Sequence, residues 1–327
     1  MAKIRWGILG TGRVAGLFAE GLALVEGAEI TAVGSRTQAS AETFGDRFGV
    51  PHRFGSYEQL AHCPDVDVVY VSTPHVHHHP NTLLCLRAGK HVVCEKPFTL
   101  NAREARELVA CARERGLFLM EAMWTRFFPV MERVRSILRA GTIGEVRMLL
   151  ADFGFSAPFD PAGRLFNPAL GGGALLDVGV YTVSLASMVL GRPSRIAGLA
   201  HIGQTGVDEQ GAFILGYPEG QLAVLSAAVR TATPRGATLV GTRGQIEIPM
   251  PFWSPPLMIL RVEGEPDQRI ELPYAGNGYD YTAAEVVRCL SAGALESDRM
   301  PLDESVAIME TLDAIRAQWG LRYPGEA

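Results

Sequence analysis

Between residues 4 and 120 the chain repeats one pattern: a short apolar run, a glycine or polar break, then apolar residues spaced three and four apart. The runs predict strands and the spaced stretches predict helices. Strands are expected at 4–9, 30–33, 66–72, 91–94 and 117–120, and helices at 14–25, 38–48, 81–87 and 102–115. Asn101 stands where a helix cap is expected, and Gly89 and Gly116 where helices should stop. The near-continuous valines of 66–71 imply burial on both faces. Strands alternating with helices in this way predict a parallel, doubly wound sheet.

After Trp124 the rhythm changes. A helix over 130–138 leads to a long alternating strand at 146–155, then a single helix over 174–190. From 196 to 272 the pattern is strand and turn only, with Gly-Tyr-Pro-Glu-Gly (216–220) and Gly-Thr-Arg-Gly (241–244) as hairpin signals. Helices over 283–290 and 303–319 follow. The expected architecture is α/β: a Rossmann-type doubly wound domain over 1–122, then an α+β domain over 123–327 on a largely antiparallel sheet. No helices cover one face of that sheet in this reading. A homodimer through it is therefore expected, lined by residues such as Ile214, Leu222, Val224 and Leu225.

Composition narrows the classes. At 327 residues the chain exceeds what one hydrophobic core usually holds. A net charge of −5 disfavours nucleic acid and anionic membrane surfaces as partners. The apolar runs read as too short to span a bilayer, so a soluble globular protein is expected. Five cysteines without CxxC spacing suit neither a disulfide framework nor a zinc site. With a strand pattern already under way at Ile4, a cytoplasmic location is expected.

The chemistry gathers at the predicted strand ends. Gly10-Thr-Gly12-Arg-Val-Ala15 lies between the first strand and first helix, where GxGxxA lets a backbone approach a pyrophosphate; the plainer reading is a tight turn. The second strand ends Val33-Gly34-Ser35-Arg36 with no carboxylate for a ribose 2′-hydroxyl. A guanidinium can instead fork onto a 2′-phosphate, so NADP(H) is favoured over NAD(H) unless Arg36 merely faces solvent. Thr73-Pro74 and His75, His77, His78 and His79 follow the buried strand. They lack the carboxylate or cysteine partners of a zinc box, and contacts to a cofactor from Thr73, His75 and His78 are favoured over a metal. Glu95-Lys96-Pro97 ends the next strand at the same rim. With 30 basic residues of which only Lys3, Lys90 and Lys96 are lysines, Lys96 reads as a catalytic candidate rather than a surface counter-ion of Glu95. Asp177 and Tyr181 lie four apart after Gly171-Gly-Gly173, hence on one helix face. The residues alone leave open whether that face lines a cavity or meets water.

Together these pieces resemble the Gfo/Idh/MocA family of NAD(P)-dependent oxidoreductases across essentially the whole chain. Residues 121–129, 173–181 and 300–302 resemble especially its dimeric dihydrodiol dehydrogenase and NADP-dependent D-xylose 1-dehydrogenase branch. The resemblance implies Lys96 as catalytic lysine, Tyr181 as acid/base and Asp177 as binder of a substrate hydroxyl. It puts Gly10, Gly12, Ala15, Ser35, Arg36, Thr73, Pro74, His75 and Glu95 on the cofactor side, although His75 replaces the asparagine common there. Trp124, Phe153 and Trp253 are candidates for an aromatic substrate wall, with the ordinary core as the alternative. The expected reaction is hydride exchange with a secondary carbinol of a sugar or cyclic diol, without a metal. Two rivals are a non-catalytic dinucleotide-binding regulator on the same fold, and a glycosidase using bound NAD.

Overall fold

The computed structural model describes residues 3–326; Met1, Ala2 and Ala327, at the outer ends of the two expected domains, lie outside the described residues. The chain divides into two compact units. One runs to Phe127 and takes in Ala275–Val306; the other comprises Phe128–Tyr274 and the residues from Ala307 onward. The partition differs from the two continuous pieces expected on either side of 122/123.

In the first unit, six parallel strands form one sheet: β1 (Ile4–Leu9), β2 (Ala28–Gly34), β3 (His52–Phe54), β4 (Val68–Val71), β5 (His91–Glu95) and β6 (Leu119–Ala122). Their order is β3-β2-β1-β4-β5-β6. The order reverses between β1 and β4, which opens a crevice beyond their C-terminal ends, the usual ligand position in such sheets. The helices are α1 (Arg13–Leu22), α2 (Gln38–Phe48), α3 (Tyr57–Ala61), α4 (His78–Arg87) and α5 (Ala102–Arg115). Thr37 and Asn101 cap α2 and α5 with their side chains, and Gly49 and Gly116 end them in the left-handed region. All four residues of β4 are buried, as its valines imply. β3 was not expected, because three residues carry no period. α4 starts before the predicted residue 81, since Pro80 in a first turn breaks no helical bond.

α8 (Tyr279–Ser291) belongs to this unit because it packs on α1. Gly21 makes the contact possible: a Cβ there would fall 2.8 Å from the Asp280 backbone N. Asn277 donates to Leu17 O at 2.8 Å beside it. Helical periodicity identifies an apolar face but not the element that face covers, so the pattern over 283–290 does not say which unit its helix joins.

The second unit holds α6 (Pro129–Arg139), β7 (Val146–Gly154), α7 (Val180–Leu190), β8 (Arg195–Ile202), β9 (Asp208–Gly216), β10 (Leu222–Ala228), β11 (Ala237–Gly241), β12 (Gly244–Ile248), β13 (Leu257–Val262) and β14 (Gln268–Glu271). Its sheet runs β14-β13-β12-β11-β7-β10-β9-β8, and every neighbouring pair is antiparallel except β7 with β10. α9 (Leu302–Gln318) begins in the first unit and continues in the second.

A π-turn over Leu175–Gly179 leads directly into α7, and both pack on β7 and β10. The stretch Pro168–Leu190 is long and apolar enough, by length and composition alone, to cross a membrane, contrary to the expectation from apolar runs. It is 78% buried in its apolar window, which is how the core helix of a sheet-covered layer looks. Strand alternation leaves the opposite face of the sheet open. Met148, Leu150, Ile214, Leu222 and Val224 lie there, 36 to 44% exposed. Leu225, expected among them, is 1% exposed, because the period of two turns it to the covered face with Ala223 and Ala227.

Glu121 lies in β6 and is completely buried. Burial pushes its carboxyl up to about 7 against the pull of Ser305 and Arg126. A carboxyl raised on folding takes up a proton, so stability is greatest below its unfolded pKa and falls as pH rises through the folded one. Glu121→Gln removes this titration. The variant should gain thermal stability relative to the parent as pH is raised from about 5 to about 8; a difference independent of pH in melting curves would contradict the assignment.

Candidate active site

The first βα turn is built for close approach. Gly10 has φ +103°, and a Cβ there would lie 3.1 Å from Ser72 O, so β4 crowds the turn from one side. A Cβ on Gly12 would meet no atom within 4 Å, so nothing in the protein itself needs glycine at that point. Gly12 caps α1 in extended conformation, without a side-chain bond and without an acidic residue in the first turn. The first amides of a helix lack partners within the helix and carry partial positive charge, and these stay open to an anion. Ala15 is fully buried one turn on. A dinucleotide pyrophosphate fits this cradle.

At the end of β2, Ser35 is 6% exposed and shares a 3.0 Å hydrogen bond with Thr11 of the same turn. Arg36 is exposed. Beyond β4, Thr73 is buried and accepts from Asn81 Nδ2 at 3.1 Å, Pro74 is exposed and His75 half-buried. The histidines separate: His79 reaches Glu107 at 3.0 Å, whereas His78 is 1% exposed, with Nε2 2.8 Å from Thr73 O and Nδ1 2.7 Å from Pro97 O. Burial pulls the His78 pKa down to about 4. A neutral ring has one N–H to donate, so it serves one carbonyl at a time. His78 thus turns both ring nitrogens to the backbone and ties the loop after β4 to the loop after β5.

Glu95 ends β5 buried, accepting from the Tyr70 hydroxyl and, at 3.3 Å, from the Lys96 backbone N–H. Burial raises its carboxyl to about 7 despite Tyr70 and the Lys96 charge. Tyr70 in turn stacks on Phe18 of α1, ring centroids 3.6 Å apart. Lys96 is half-buried at the rim, next in sequence. Trp124, also half-buried, stacks on Tyr279 at 5.2 Å.

In the second unit, the π-turn and α7 carry Asp177 and Tyr181, 5% and 6% exposed. Asp177 accepts from Arg164 Nη1 at 2.7 Å. Phe153 lies 5.4 Å from the Tyr181 ring and parallel to Trp253 at 3.7 Å, so these three rings form one cluster. Phe153 is nearly buried in it and Trp253 half-buried.

Three participants escape sequence reasoning. Tyr70 is one apolar-strand residue among several, Arg164 is one of many arginines, and Asp208, which binds the start of the Asp177 helix, stands 33 residues from its partner Leu175. No local pattern marks any of them.

Residues 4–123 match an oxidoreductase family with an NAD-binding Rossmann fold, and residues 131–247 match the GFO/IDH/MocA C-terminal domain. The trans-1,2-dihydrobenzene-1,2-diol dehydrogenase of Mus musculus is 40% identical, over 98% of each chain. Among solved structures, the aldose-aldose oxidoreductase from Caulobacter crescentus complexed with glycerol superposes with a TM-score of 0.89 at 28% identity, covering 97% of this chain and 98% of its own. KijD10, a 3-ketoreductase from Actinomadura kijaniata in complex with NADP and TDP-benzene, does so with 0.86 at 29%, covering 96% and 97%.

His78→Leu should expose the cost of the clamp by leaving the Thr73 and Pro97 carbonyls without the one ring N–H they share. A loss of about 1–3 kcal/mol in denaturant unfolding is expected, and unchanged stability would mean that another group satisfies them.

Proposed function

Because the chain belongs to the Gfo/Idh/MocA family and is an NAD(P)-dependent dehydrogenase, we propose that it exchanges a hydride between NADP(H) and a secondary carbinol of a cyclic diol or aldose. The observation that carries this reading is the pairing of Asp177 and Tyr181, both nearly buried, with the apolar plane of Phe153 and Trp253. An apolar wall with a few fixed polar groups suits a ring bearing hydroxyls. The names of the mouse diol dehydrogenase and of the aldose enzyme support the same substrate class.

When bound, the nicotinamide supplies or accepts the hydride. The uncapped first turn of α1, with Gly10 and Gly12, would hold its pyrophosphate, and Thr73, Pro74 and His75 would border it. The Lys96 ammonium stabilises negative charge developing on the carbinol oxygen, and Glu95 beneath it sets the local field. Tyr181 takes or returns the hydroxyl proton. Asp177, oriented by Arg164, accepts a hydrogen bond from a substrate hydroxyl. Trp124 is a further apolar contact.

Preference for NADP(H) rests on the end of β2, where Ser35 and Arg36 replace a carboxylate. The homodimer rests on the open sheet face, where Val224 stands beside Leu150 on one strand and Ile214 on the other. Exposed apolar surface of this kind marks an interface.

Three outcomes test the proposal. With trans-benzene dihydrodiol, D-xylose and D-glucose as candidate substrates, Lys96→Ala and Tyr181→Phe should each lower kcat by on the order of 10² to 10⁴ while NADP binding changes little. Near-normal turnover of Tyr181→Phe would move the proton to another group. Arg36→Ala should weaken NADP by roughly 1.5 to 3 kcal/mol more than NAD, and equal losses would retire the 2′-phosphate assignment. Light scattering at micromolar concentration should give a dimer that Val224→Asp dissociates; a monomeric parent contradicts the interface.

A further inference from the structure

The glycines before the Asp177 helix make room for groups from elsewhere in the second unit. Gly173 has φ +116°, and a Cβ there would fall 2.1 Å from Asp208 Oδ1. A Cβ on Gly172 would fall 2.8 Å from Leu165 O. Asp208 opens β9, is completely buried, and accepts the Leu175 backbone N–H on Oδ2 at 2.6 Å. Leu175 is the first residue of the π-turn, and Ala174 before it has no side chain with which to cap. Tyr323, also buried, donates to Gly172 O at 2.6 Å and is held at its own backbone N–H by Glu326 at 2.9 Å.

Burying a carboxylate without a paired cation is costly. Burial pushes Asp208 up to about 7, against the pull of the backbone amides of Ala174, Leu175 and Asp208. The π-turn over Leu175–Gly179 contains Asp177 and ends two residues before Tyr181. A π-turn winds differently from an α-turn, so relaxation to α geometry would rotate the Asp177 carboxylate relative to the Tyr181 phenol.

We propose that Asp208 is a positioning residue for the reaction, a helix cap delivered from β9 through the gap left by Gly173, which anchors the π-turn and so sets Asp177 against Tyr181. The inference rests on the assignment of those two residues to substrate.

The test uses the full-length enzyme and the variant Asp208→Asn, which keeps the size of the side chain and removes its charge. Three readouts are combined: steady-state kinetics, NADPH affinity by fluorescence, and hydrogen exchange read by mass spectrometry. Expected are a kcat about tenfold lower, unchanged NADPH affinity, and faster exchange confined to residues 171–181. Asp208→Ala should follow the same profile with a larger loss. Native kcat in Asp208→Asn, or faster exchange spread through the unit with weaker NADPH binding, overturns the proposal. Tyr181→Phe is measured alongside. Its normal turnover would overturn the underlying reading and the positioning role with it, whereas impaired Tyr181→Phe beside normal Asp208→Asn would overturn the positioning role alone.

Discussion

The first-turn amides of a helix have no carbonyl to bond within the helix, and the two functional regions of this chain are two answers to that deficit. In the first unit α1 begins at Gly12, whose missing side chain leaves the amides uncapped. The sheet order reverses just there, so the open end faces the crevice where a phosphate can supply the acceptors. In the second unit the helix of Asp177 and Tyr181 is served from within by Asp208. The first end is left open, where a pyrophosphate is proposed to bind, and the second is filled by a side chain from β9.

Buried carboxyls stand beside the proposed reactive residues in both units. Glu95 beside Lys96 and Asp208 behind the Asp177 helix are both raised to about 7 by burial. Each is kept in place by specific donors: the Tyr70 hydroxyl and Lys96 amide for one, the Leu175 amide for the other. Tyr70 extends the support into the core through its stack on Phe18, so the position of Glu95 is tied to the packing of α1. His78 performs a similar task without charge by joining two rim loops.

The second sheet shows the same division between a face that is used and a face that is covered. β7 and β10 put Ala151, Phe153, Leu225 and Ala227 against the helix layer, and Leu150, Leu222 and Val224 on the other side. A slip of one residue along either strand would exchange the two sets. The aromatic wall of the proposed site and the proposed dimer face are therefore alternate residues of the same strands.

The sequence by itself determined the elements and their class. Five of the six strands of the first unit, α2, α5 with its caps, the hairpin turns and the Gly10–Gly12 cradle all follow from signals a few residues long: a period, a cap, a glycine between strand and helix. Lys96, Asp177 and Tyr181 could be singled out as candidates because their surroundings form local motifs. Tertiary structure alone decided which unit α8 joins, that Leu225 faces inward, that His78 is spent on two carbonyls, and that Asp208 and Arg164 hold the Asp177 helix. These depend on contacts between residues far apart in sequence. A period states that a side chain is buried, but the partner that buries it or satisfies its hydrogen bonds is fixed only when the folded chain brings the two together.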